Sequence, residues 1–150
     1  MDYTFQFSAV FDELPYLLGG ALITLQIAFI TFWAGAVIGI FGAIAKVYGG
    51  ALSRRVTTMY VSFFTNTPAL VQVFLLYYAL PDAGVLLTPM VAVLIGLTLN
   101  AGAYLTEILR AGVVSVRRSE MEAAATLGMS PLQILRHVML PHIAKTIYAP

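Results

Sequence analysis

Three stretches of this chain contain no Asp, Glu, Lys or Arg: Leu14 to Ala45 (32 residues), Val56 to Pro81 (26) and Ala83 to Thr106 (24). A helix needs about 20 apolar residues to cross the hydrocarbon core of a bilayer. A buried helix of a soluble domain rarely runs so long without charge. Composition points the same way: of 150 residues, 60% are hydrophobic and only 10% charged, against about 25% charged in a soluble domain. Too little polar surface remains for a soluble fold, and the chain is too apolar to be disordered. A net charge of +1 gives no overall electrostatic footprint for nucleic acid. With no Cys, disulfides, thiolate metal sites and cysteine nucleophiles are excluded. The expectation is an all-α membrane protein with spans near 18–45, 57–80 and 88–110.

Orientation follows from the cations. Lys46, Arg54 and Arg55 fall between the first and second stretches, and Arg110, Arg117, Arg118, Arg136 and Lys145 follow the third. In a three-span topology all eight lie on one side, which the positive-inside rule makes cytoplasmic. The N terminus is then outside. Asp2, Asp12 and Glu13 precede the first stretch, which lacks the basic front end of a signal peptide and reads as a permanent span entered through Pro15 and Gly19-Gly20. Tyr3, Phe5, Phe7, Phe11, Tyr16, Tyr77 and Tyr78 are placed for an outer aromatic belt, with Tyr48 at the inner face.

Residues within the spans suggest packing and a polar route. Gly35, Gly39 and Ala43 recur every four residues, a nearly bare helix face that lets another backbone approach closely. In the second span, Pro68 removes a helix hydrogen bond and is expected to bend the helix. The freed carbonyl, Asn66 and Gln72 must then face protein or water rather than lipid. In the third, Gly96, Asn100, Tyr104 and Glu107 share a face by spacing. Asn66, Pro68, Gln72, Asn100, Tyr104 and Glu107 are the candidate pathway residues, each with a plain packing role as the alternative. For Glu107 that alternative is an interfacial ion pair with Arg110, three residues on. His137 and His142 are not on one helical face and have no carboxylate at ligand spacing, so no metal site is expected. No nucleophile–base set and no phosphate-cradling glycine loop occurs.

Within the segment 113–141, Ser119 to Pro141 is the most informative stretch. Ser119 and Glu122 have capping-box form, Gly128 can stop the helix they start, and Ser130-Pro131-x-Gln133 repeats the start signal. Pro141 is expected to close the second helix. The shape resembles a helix-turn-helix, but only Gln133, Arg136 and His137 could reach base edges, so DNA binding is disfavoured. Docking to a cytoplasmic protein is the other use.

For docking the residues match a pattern. Glu122-Ala123-Ala124, Gly128, Val138 and Leu140-Pro141 have the spacing of the EAA loop of ABC importer permeases, with Val138 where Ile is usual. Thr24-Leu25, the run Asn66 to Gln72 and the run Ala103 to Gly112 resemble the amino-acid branch of that family, which serves histidine, glutamate, glutamine, arginine and opines. The resemblance covers most of the chain from Gly19 to Pro141. It departs at Thr65, where Arg is common, and at Ser119-Glu120, where Gly-Gln is usual. Members of the family continue past this point, so the chain is expected to be C-terminally truncated, ending as a further span begins.

The resemblance implies a type I ABC importer permease-like helical bundle in the bacterial inner membrane, with three spans and a cytoplasmic coupling segment. It implies a second permease subunit, identical or homologous, a cytoplasmic ATP-binding subunit docked at Glu122, Ala123, Ala124, Gly128, Leu140 and Pro141, and an external amino-acid-binding protein. The chain itself would bind no cofactor and perform no chemistry, ATP being handled by the partner. Nucleic acid is not an expected partner. The alternatives are a self-associating membrane scaffold or pore, or a permease piece without activity of its own.

Overall fold

The computed structural model describes Phe11, the backbone of residues 13–148 and side chains as far as Lys145. Asp2, Asp12, Tyr3, Phe5 and Phe7 of the expected outer end lie outside the described residues. Every regular element among the described residues is helical. Helix α1 spans Leu14–Tyr48, α2 Ala51–Thr65, α3 Ala69–Phe74, α4 Pro89–Ser115, α5 Arg118–Thr126, α6 Pro131–Ile134 and α7 Leu140–Tyr148. A π turn, Leu75–Ala79, and a 3-10 turn, Leu80–Ala83, extend α3, and a second π turn, Leu135–Met139, joins α6 to α7.

Helix α1 starts with a proline in its first turn, where the missing N–H costs nothing. It runs through Gly19 and Gly20, so it begins earlier than the expected span. At 1.5 Å per residue its 35 residues reach about 52 Å, longer than the roughly 30 Å core of a bilayer. Its buried residues are Thr31, Gly35, Gly39 and Ala43, the small-residue stripe. A Cβ added at Gly35 would lie 2.8 Å from Ala101 Cβ, and one at Gly39 would lie 2.7 Å from Leu105 Cβ and 3.1 Å from the Leu105 carbonyl carbon. The two backbones therefore touch, and only Gly fits.

These contacts also fix direction. Gly35 faces Ala101, Gly39 faces Leu105 and Gly42 faces Thr106, so residue numbers rise together and α1 and α4 run parallel. The chain between them must return along the bundle. That return is made by α2 and α3, which are bent by 103° at the break between them. By length and composition α1 and α4 can each cross a membrane, and the bent pair adds a third crossing if it counts as one. The expected bend at Pro68 is thus a full break. Pro68 has φ −55° and ψ 135°, an extended conformation, and a proline also pushes the residue before it out of the helical region.

Past α4 two local expectations are corrected. Helix α5 begins at Arg118, with Arg117 as its N-cap and no side-chain cap. Ser119 is already inside the helix, and no Ser119–Glu122 capping box forms. Buried Val116, extended at φ −69° and ψ 123°, anchors the exit from α4 and sets the start of α5. The second correction is Pro141, which does not close a helix but sits in the first turn of α7. The preceding π turn makes room: Leu140 N–H reaches back five residues to Leu135 O, and the widened turn accepts the proline ring. Helix α7 then packs on α4, with Ile143 buried against Gly112.

Candidate functional site

Two places gather the residues singled out above. The first is the elbow between α2 and α3. In an unbroken helix the Phe64 carbonyl would accept the N–H of residue 68, but Pro68 has none. Gln72 Nε2 donates to Phe64 O at 2.9 Å and to Thr67 O at 2.7 Å. Asn100 Nδ2, from α4, donates to Phe64 O at 3.2 Å and to Gln72 Oε1 at 3.3 Å. Tyr104 Oη donates to Thr65 O at 3.3 Å, and Tyr60 Oη to Leu99 O at 2.6 Å. Gln72 is 3% exposed, while Asn66 is exposed and turns back to donate to Ser62 O at 2.7 Å.

The structure thus brings Gln72, Asn100 and Tyr104 together on the carbonyls of Phe64, Thr65 and Thr67 at the break, and leaves Asn66 and Pro68 on the outside of the elbow. Beside it lies a cavity of about 280 Å³ lined by Phe63, Phe64, Leu75, Leu76 and Leu99, with Gln72 its one polar side chain among these. Tyr60 was not singled out in the sequence, because a tyrosine in an apolar run gives no local sign of the carbonyl it will meet.

Glu107 is elsewhere, at the far end of the α1–α4 seam. It pairs with Arg110 Nε at 2.8 Å, as its spacing suggests, and also with Lys46 Nζ from α1. Lys46 is the more enclosed cation, its side chain 13% exposed against 35% for Arg110. The pairing of Lys46 with Glu107 spans 61 residues and depends on the parallel register of two helices, which local spacing does not reveal.

The second place is the segment after α4. Helix α5 ends in a left-handed Gly128, φ 77°. Gly128 N–H bonds Ala125 O at 3.0 Å and Met129 N–H bonds Ala124 O at 3.2 Å, the paired bonds of a Schellman motif. Ser130 and Gln133 form the expected capping box around Pro131. Ala124 is buried, whereas Glu122, Ala123, Gly128, Leu140 and Pro141 are exposed, and Leu127 and Leu132 stand out at 82% and 73% exposure. Glu122 accepts a hydrogen bond from Arg118 Nε at 2.8 Å. Glu120 of α5 approaches His142 of α7 at 3.9 Å. The two short helices therefore form a braced unit with an open outer face, on the same end of the bundle as Lys46 and Arg110. Among the described residues no cluster of three His, Asp or Glu is arranged to hold a metal.

Known proteins resemble this chain in sequence and fold. Residues 35–150 match the family model described as the binding-protein-dependent transport system inner membrane component. A probable amino-acid ABC transporter permease, YckA of Bacillus subtilis, is 36% identical over 99% of this chain and 66% of its own length. The glutamine transport system permease GlnP of Escherichia coli is 33% identical over 97% of this chain and 68% of its own. The crystal structure of an amino acid ABC transporter with histidines superposes with a TM-score of 0.84 at 31% identity, covering 97% of this chain and 68% of that one. The chain thus spans about two thirds of the length of these relatives. It belongs to the family of inner membrane components of binding-protein-dependent transport systems, the permeases of ABC importers.

Proposed function

We propose that the chain forms part of the translocation pathway of an ATP-driven importer for polar amino acids. A cytoplasmic ATPase would dock on α5 and α6, a second permease chain would complete the pathway, and an external binding protein would deliver the solute. The amino-acid class rests on the relatives, which are amino-acid and glutamine permeases. The observation that carries the coupling reading is the braced unit of α5 and α6. Glu122 and Ala123 are exposed beside buried Ala124, the left-handed Gly128 fixes the angle to α6, and α5 leaves α4 through only the extended Val116-Arg117 link. A push on α5 is therefore carried into α4. A partner drives the spans only if it contacts this unit differently in its two nucleotide states.

The orientation, N terminus outside, rests on the positions of the cations and on the parallel α1–α4 pair, which places Lys46 and Arg110 at one end. Cysteines at Asp82 and Arg117 test it in a chain without native Cys. Asp82 should be labelled from outside by an impermeant thiol reagent and Arg117 should not; the reverse pattern would invert the topology.

Docking is tested in the assembled transporter. Gly128→Asp puts a side chain on a left-handed residue and should abolish stimulated ATPase activity and release the partner while membrane insertion is kept. Glu122→Gln, which removes the charge, should weaken the same coupling. ATPase binding that survives both changes would leave the segment an ordinary helical hairpin. A self-associating pore would need no ATPase, so copurification with a nucleotide-binding subunit separates the two readings.

A further inference from the structure

We infer that Gln72 and Asn100 are positioning residues that hold the α2–α3 elbow in shape and do not themselves touch the transported solute. The argument is an accounting of hydrogen bonds. A primary amide has two donor hydrogens and one acceptor oxygen. Gln72 Nε2 donates to Phe64 O and Thr67 O, and its Oε1 accepts from Asn100 Nδ2, so both of its donor hydrogens and one lone pair of its oxygen are engaged within the fold. Asn100 Nδ2 is shared between Phe64 O and Gln72 Oε1. Both amides thus serve Phe64 O, which Pro68 leaves without a helical donor, and Gln72 also serves Thr67 O at the break. In an apolar surrounding an unpaired carbonyl is costly, so removing these donors favours any backbone arrangement that pairs Phe64 O differently.

Asn66 is a polar group that faces outward at this elbow: it is exposed and its Nδ2 bonds only to its own helix, at Ser62. Solute contact is thereby assigned to the outer side of the elbow and shape-keeping to its inner side. The effect on uptake rests on the pathway proposal above; the effect on shape does not.

Spin labels on single cysteines at Met59 and Tyr78, both exposed, measure the distance across the elbow. A second pair at Phe41 and Ile108, also exposed, reports whether α1 and α4 remain together. In the assembled transporter without solute, Asn100→Leu should leave the second distance unchanged while a minor elbow population grows about tenfold, the equivalent of one lost hydrogen bond. Gln72→Leu should do more; should it disrupt the α1–α4 distance as well, Asn100→Leu decides. With solute, Asn100→Leu should lower the maximal uptake rate with little change in KM, and Asn66→Ala should raise KM with the elbow distance intact. An unchanged elbow in Asn100→Leu overturns the inference. So does a raised KM in that variant with the elbow unmoved, since that is the mark of direct solute contact.

Discussion

The α1–α4 seam and the α2–α3 elbow both pack on α4, a few turns apart, and they are held by different means. In the seam both helices keep their backbone ladders, so no backbone group needs a side-chain partner. Gly35, Gly39 and Ala43 bring the backbones together and dispersion does the rest. In the elbow the ladder is cut at Pro68, and Gln72, Asn100 and Tyr104 supply the donors the helix has lost. Small side chains suffice where the backbone is self-satisfied, and polar ones enter where it is not. The seam's shape accordingly rests on close packing, and the elbow's on a few hydrogen bonds.

The heaviest blow to the seam is Gly39→Leu. A side chain there would strike the Leu105 Cβ at 2.7 Å and backbone atoms at 3.1 and 3.2 Å, and backbone cannot give way as a flexible side chain can. Overpacking costs about 1–3 kcal/mol in ordinary cores, and this site belongs at or above the top of that range. Gly20→Leu is the control, since nothing lies within 4 Å of a Cβ added there. Size-exclusion chromatography after detergent extraction should show Gly39→Leu aggregated or absent and Gly20→Leu normal. A monodisperse Gly39→Leu protein would mean that α1 and α4 do not depend on close backbone approach.

The seam was largely legible in the sequence, because a four-residue repeat of small residues needs no knowledge of its partner. The elbow was legible in kind but not in degree. Proline predicts an interruption, while the 103° break depends on Asn100, which lies 36 residues from the carbonyl it caps. The Lys46–Glu107 pair was hidden for the same reason. Misreadings in the coupling segment arose where two local rules competed. Ser-x-x-Glu fits a capping box, but Val116 packing starts α5 earlier. Proline ends helices, but the π turn Leu135–Met139 lets one continue through Pro141. A tertiary contact decided the first case and a widened turn the second.

A smaller effect is expected at the ion pair that joins the seam helices, Lys46 with Glu107. Glu107 serves two cations, Lys46 and Arg110. Glu107→Gln leaves both without a counter-charge, whereas Lys46→Met leaves Glu107 still paired with Arg110. The carboxylate is 34% exposed, so the loss falls short of the fully buried case and should be about 1–2 kcal/mol. Thermal unfolding in detergent should rank Glu107→Gln clearly below Lys46→Met. Equal losses would show that Lys46, not Glu107, governs the end of the seam.

The smallest effect is expected at Thr106, and it tests the contrast most finely. Thr106 is fully buried in the seam, and its Oγ1 donates at 2.7 Å to Gly102 O of its own helix. That carbonyl already has the N–H of residue 106 as its helical partner, so the hydroxyl bond is an addition and not a necessity. Thr106→Val keeps the shape, removes the hydroxyl and leaves no backbone group orphaned. Its cost should stay within about 1 kcal/mol, measured by the same unfolding assay. Asn100→Leu, also a loss of polar contact on α4, takes one of two donors from Phe64 O and strips Gln72 Oε1 of its partner, and should cost more. If Thr106→Val proves as damaging as Asn100→Leu, the seam depends on side-chain hydrogen bonding after all, and the division between a packed seam and a bonded elbow fails.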